Sequence, residues 1–129
     1  MTTTRPLILG SALIGALMFS IGGGWAMLAP ESFFDVVARY PPYNLHLFHD
    51  LGAFQLGIAA ALVAGIAGRD GLGVALWAAA VGASAHAVSH WIDADLGGRS
   101  SDPILITALA AVPVAGLVLA EFRGRGARE

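Results

Sequence analysis

Apolar residues run almost unbroken through four stretches of this chain, and polar residues collect in the segments between them. The stretches extend from about Leu7 to Ala29, Leu45 to Ala67, Leu72 to Ile92 and Ile104 to Phe122. Each is long enough to cross a hydrocarbon core, which needs about 20 apolar residues. The pattern predicts an all-α polytopic membrane protein, with four transmembrane helices in an antiparallel bundle forming a single domain over residues 1–129. The first span has a charged flank at Arg5 and an "AMLA" stretch that would suit a signal peptide. It is longer than a typical signal core and is read as a retained helix.

The polar segments fit this count. "GRDG", residues 68–71, is a tight turn that makes spans two and three a hairpin. "DADLGGRSSDP", residues 93–103, is a loop in which Asp102 is placed to cap the fourth helix, with Pro103 at its first position. Pro113 lies inside that helix and is expected to kink it. In the longest connection, Glu31, Asp35 and Arg39 alternate with Phe33, Phe34, Val36 and Val37. That alternation predicts a short amphipathic helix over 31–40 lying in the membrane interface, ended by Pro41-Pro42.

Composition sharpens the membrane reading. Of 129 residues 57% are hydrophobic and 12% charged, too few charges to solvate the surface of a water-soluble domain. The chain has no lysine and a net charge of −2, so it lacks the basic surface that nucleic acid requires. It has no cysteine, which excludes disulfides, thiolate metal sites, iron–sulfur clusters and thiol nucleophiles. Arg5, Arg69, Arg123, Arg125 and Arg128 fall on one side of the four-span topology, and only Arg39 and Arg99 on the other. The positive-inside rule then puts both termini in the cytoplasm. Trp25, Tyr40, Tyr43 and Trp91 form an aromatic belt at the outer interface.

All four histidines fall on that outer side, in "HLFHD" and "HAVSHWID". On the second span His46 and Asp50 are spaced i,i+4, with His49 on the same broad face; on the third, His86 and His90 are i,i+4 and Asp93 follows. Small residues extend both stripes inward: Ala53, Gly57, Ala60, Ala61 and Ala64 on one helix, and Ala75, Ala79, Gly82 and Ala83 on the other. Close packing of membrane helices uses such residues, so the two seams are expected to meet and to turn both polar triplets toward protein. The set His46, His49, Asp50, His86, His90 and Asp93 is then a candidate metal site. Nitrogen and oxygen donors suit zinc, copper, iron or manganese, and a haem held by a histidine pair is less well matched. Two other readings compete: a polar network that only fastens the helices, and a proton relay or pH sensor built from groups that titrate near neutrality.

Other polar positions point to packing. Gln55 is expected to contact a neighbouring helix, Ser84 and Ser89 to bond to backbone, and Glu121 to be an interfacial charge beside Arg123 and Arg125. The "GGG" at 22–24 lacks the lysine of a phosphate loop and is expected to thin the first helix for packing.

The stretches "GGGWAMLAPESFF" and "NLHLFHDLGAFQLGIAAAL" resemble small bacterial four-helix membrane proteins of the DoxX-like type. That resemblance implies the fold and a bacterial inner-membrane location, and assigns no chemistry to the histidines. Asp50 with His46, or Asp93 with His86 and His90, is similar in ligand chemistry to the one-aspartate, two-histidine copper sites of membrane monooxygenases. Expected functions are therefore metal handling, redox chemistry or service to an oxidase-like complex. The alternatives are a non-catalytic subunit of a larger complex and a proton-linked transporter or sensor. The expected partners are the lipid bilayer and either further copies of the chain or such a complex.

Overall fold

The computed structural model describes residues 4–68 and 71–125, and its described part is all-helical. Five helices follow in order: α1 (Thr4–Leu28), α2 (Pro30–Val36), α3 (Leu45–Ala67), α4 (Leu72–Ile92) and α5 (Asp102–Arg125). Four of them, α1, α3, α4 and α5, are long and apolar enough to cross a membrane, which marks a multi-pass membrane protein. Leucines, isoleucines and valines around the outside are exposed, among them Leu13, Leu17, Ile21, Val74 and Ile104. An outward apolar surface of that kind suits lipid. Arg69, Asp70 and Arg128 lie outside the described residues, and with them the tip of the expected turn and two of the five arginines on which the expected orientation rests.

The helices are held by small residues that let backbones touch, since lipid tails are as apolar as leucine and give no hydrophobic drive to association. α1 packs most extensively against α3, and α4 against α5, with α1–α5 and α3–α4 closing the ring. At the α1–α3 crossing, a Cβ added to Gly23 would lie 2.9 Å from the Gly52 carbonyl oxygen, and one added to Gly52 would lie 2.8 Å from the Gly23 carbonyl oxygen. Gln55 lies across Gly22 and Gly23, the neighbouring-helix contact expected of it. Lower down, Leu62 fills the space over Gly15, and Gly116 of α5 sits against Ser11 and Leu76. Leu62, Leu76 and Pro113 are fully buried at the centre.

Several boundaries differ from the sequence reading, each for a local reason. α1 and α5 extend beyond their apolar runs to Thr4 and Arg125, because helix propensity does not stop where hydropathy does. The amphipathic segment is helical only over Pro30–Val36, starting on a proline and ending well before Pro41. α5 passes through Pro113 unbroken. Asp102 does not cap forward; its carboxylate reaches back to accept from the Arg99 N–H at 2.7 Å, and α5 begins on the Ser101 carbonyl. Asn44 is the clearest cap, accepting from the Leu47 N–H at 3.2 Å to start α3.

α2 is pinned by an aromatic cluster. Phe33 and Phe48 are buried with Ala26, and Trp25, Phe34 and Tyr43 pack around them at centroid separations of 5.4–5.9 Å. The Tyr43 hydroxyl is buried there without a hydrogen-bond partner among the described residues. A hydroxyl so placed gives up its hydration with no hydrogen bond in exchange. Tyr43→Phe is therefore expected to leave thermal stability in detergent unchanged or raised; a fall in the melting midpoint would contradict this placement.

Candidate functional site

One end of the structure carries nearly all the polar chemistry, because two connections fold over each other there. The segment that follows α2 passes Arg39 and Tyr40 beneath the loop that follows α4. Gly98 N–H donates to the Arg39 carbonyl at 2.8 Å, and a Cβ on Gly97 would lie 2.7 Å from that same oxygen. Gly98 has φ +74°, a conformation glycine adopts freely and other residues do not. A Cβ at Gly98 would stand 2.8 Å from both the Tyr40 hydroxyl and an Asp102 carboxylate oxygen. The two glycines thus clear the space that Tyr40 fills. Burial, followed by the charges of Asp102 and Asp93, raises the Tyr40 pKa above its ordinary 10.0, so the phenol stays protonated and able to donate.

Tyr40 meets the last two turns of α4. Its hydroxyl lies 3.2 Å from His90 Nδ1, and the rings meet edge to face at 5.7 Å. His90 Nε2 lies 2.9 Å from His86 Nε2, one turn earlier. The imidazole rings are within 11° of parallel with centroids 4.8 Å apart, so their Nε2 corners approach more closely than their centres. Tyr40, His90 and His86 therefore form one hydrogen-bonded chain. Around it, Ser89 Oγ donates to the His86 carbonyl at 2.8 Å, as expected of a membrane-helix serine. Trp91 Nε1 donates to Thr107 Oγ1 at 3.0 Å and ties α4 to α5. Asp93 ends α4, its N–H on the Ser89 carbonyl.

The other candidate residues sit apart from this chain. His46 Nε2 pairs with Asp50 Oδ2 at 3.5 Å within α3, with the two side chains 86% and 53% exposed. His49 is half-buried on the same helix. Among the described residues, no group of three or more His, Asp or Glu side chains is placed to hold a metal ion. The expected seam explains the difference. Ala75 and Ala79 of α4 are buried as anticipated, but Ala53, Gly57, Ala60 and Ala64 of α3 are exposed. α3 instead turns Phe48, Gly52, Ala59 and Leu62 inward, because the glycines of α1 offer it the closer approach. His46 and Asp50 consequently face outward, and the two triplets do not merge.

Sequence reasoning missed Tyr40, placing it only in an aromatic belt. Its role depends on a loop crossing that no spacing encodes; the adjacent "GG" at 97–98 was the available signal. Glu121 is more than an interfacial charge, since it accepts from Trp77 Nε1 at 3.1 Å near the far end of α4 and α5. No family model, curated protein or solved structure matches this chain, and none of them supports the DoxX-like resemblance.

Proposed function

We propose that the chain is a small proton-exchanging membrane protein whose Tyr40–His90–His86 chain takes up and passes a proton at the outer face. The topology proposed with it is an antiparallel bundle in a bacterial inner membrane, with both termini cytoplasmic and α2 in the outer interface. The observation that carries the reading is the 2.9 Å contact between the Nε2 atoms of His86 and His90, with His90 Nδ1 on a phenol.

A neutral imidazole has one donor and one acceptor nitrogen. Two Nε2 atoms at 2.9 Å can hold one proton between them, not two. Two polarities satisfy the chain. In one, Tyr40 donates to His90 Nδ1 and His90 Nε2–H donates to His86; in the other, His86 Nε2–H donates to His90 and His90 Nδ1–H donates to the Tyr40 oxygen. Passing from one to the other moves a proton along the row: Tyr40 takes one from water as it gives its own to His90, and His86 releases its Nδ1 proton as it accepts one at Nε2. One additional proton can sit on His90 Nδ1, whose N–H then donates to the Tyr40 oxygen, so the pair carries a cation with the contact intact; a second would set two N–H groups against each other.

Proton-dye measurements on liposomes test the function. Dissipation of a pH gradient should fall severalfold in His90→Gln and in His86→Ala, with helical content unchanged. Equal rates in wild type and both variants would sink the reading.

A second reading keeps the metal expectation in reduced form. His86 and His90 offer two imidazole nitrogens close enough to ligate one zinc, copper or iron ion, with Tyr40 orienting His90. The donor set fits a two-histidine site open to further ligands, not one site of six residues. Binding would move the shared proton from His90 Nε2 to its Nδ1, which then donates to the Tyr40 oxygen. Zinc should therefore bind at one ion per chain by calorimetry, and the binding should vanish in His86→Ala.

A further inference from the structure

The end of the bundle away from Tyr40 carries an open groove between α4 and α5, about 300 Å³ in volume. Trp77 of α4 lines it together with Leu117, Val118, Glu121, Phe122 and Arg125 of α5. Leu117, Glu121 and Arg125 follow one another at i,i+4 spacing and share a face, so the lining passes from apolar to charged toward the end of α5. Glu121 is the twentieth residue of that helix, about 28–29 Å from its start at 1.5 Å per residue. A hydrocarbon core is about 30 Å thick, which puts both charges where acyl chains give way to headgroups. Opposite charges at i,i+4 on a helix commonly pair, yet among the described residues no ion pair joins Glu121 to Arg125. Trp77 Nε1 donates to Glu121 Oε1 at 3.1 Å and holds the carboxylate in the groove. Among the described residues nothing donates to its second oxygen.

We propose that this groove holds one phosphatidylethanolamine molecule, with its ammonium on the Glu121 carboxylate, its phosphate on Arg125 and an acyl chain along Leu117, Val118 and Phe122. The charges select this occupant. One anion and one cation line the same groove, which matches a zwitterionic head and leaves Glu121 unmet by an anionic lipid such as phosphatidylglycerol. The second Glu121 oxygen calls for an N–H donor; a primary ammonium carries three, and the quaternary ammonium of phosphatidylcholine none. A guanidinium matches phosphate with two parallel N–H bonds. Side chains on a helix lean toward its N-terminus, so the longer Arg125 reaches back toward the depth of Glu121, and a head lying flat on the bilayer meets both charges. The apolar lining calls for a tail, which a free phosphate or a small soluble zwitterion lacks.

Native mass spectrometry of the full chain in detergent tests the proposal. With acyl chains held the same, phosphatidylethanolamine should be retained at one molecule per chain, severalfold more tightly than phosphatidylcholine or phosphatidylglycerol. Glu121→Gln keeps an oxygen for Trp77 and so keeps the packing, but should bring phosphatidylethanolamine down to the level of phosphatidylcholine. Arg125→Gln should weaken both zwitterionic lipids alike, severalfold. His86→Ala, at the other end of the bundle, should change none of them. Equal retention of the three lipids by the wild type, or a preference that survives Glu121→Gln, would overturn the proposal, as would a dimer that carries no lipid. Helical content measured on each variant separates a lost site from a lost fold.

Discussion

Gly23→Ala should destabilise the protein while Gly24→Ala, one residue away, should not. The added methyl at Gly23 would lie 2.9 Å from the Gly52 carbonyl oxygen and 3.0 Å from the Leu56 nitrogen. Both are backbone atoms of a neighbouring helix and cannot rotate aside. α1 and α3 would have to separate, and overpacking of this kind costs about 1–3 kcal/mol. Replacing glycine by alanine within a helix returns only about 0.5–1 kcal/mol, so the steric cost wins. Gly52→Ala should behave alike, because its methyl would meet the Gly23 carbonyl at 2.8 Å and Met27 Cγ at 2.6 Å. At Gly24 nothing lies within 4 Å, and the propensity gain should appear alone. Unfolding midpoints in one detergent would read the difference. Equal behaviour at 23 and 24 would mean that α1 and α3 do not cross there.

That pair of neighbours also marks how far the sequence could be read. Four apolar runs placed the four long helices within a few residues, because hydropathy over some 20 positions is a strong signal. The "GGG" was rightly expected to thin α1, and Gly22 and Gly23 do so while Gly24 does not. The choice of partner was not legible. α3 carries small residues on two faces, Gly52 and Ala59 on one and Ala53, Gly57 and Ala60 on the other. Both satisfy the rule for close membrane packing. The α1 glycines decide which is used, and spacing within α3 holds no record of them. The histidines divided on the same point: His86 and His90 are brought together by their own helix and held from above by Tyr40, whereas His46 and Asp50 follow the face that turned outward.

The second large effect is expected at Gly98, and it separates the fold of the Tyr40 end from its chemistry. Gly98→Ala places a side chain at φ +74°, a left-handed conformation that costs L-residues about 1–2 kcal/mol. The methyl would also lie 2.8 Å from the Tyr40 hydroxyl and from Asp102. Tyr40 must move, and the simplest movement lifts its hydroxyl off His90. Tyr40→Phe removes the same hydroxyl without strain and should cost only about 0.5–1.5 kcal/mol, the net worth of one hydrogen bond. Both variants should therefore alter the His90 signal in the same way in spectra of nitrogen-labelled histidine, while only Gly98→Ala melts markedly earlier. In each, His90 keeps His86 as its one remaining ring partner, so its Nδ1 should exchange protons with water instead of with a phenol. If Gly98→Ala melts early but leaves the His90 signal unchanged, the loop crossing stabilises the protein without positioning Tyr40, and the proton chain ends at the histidines.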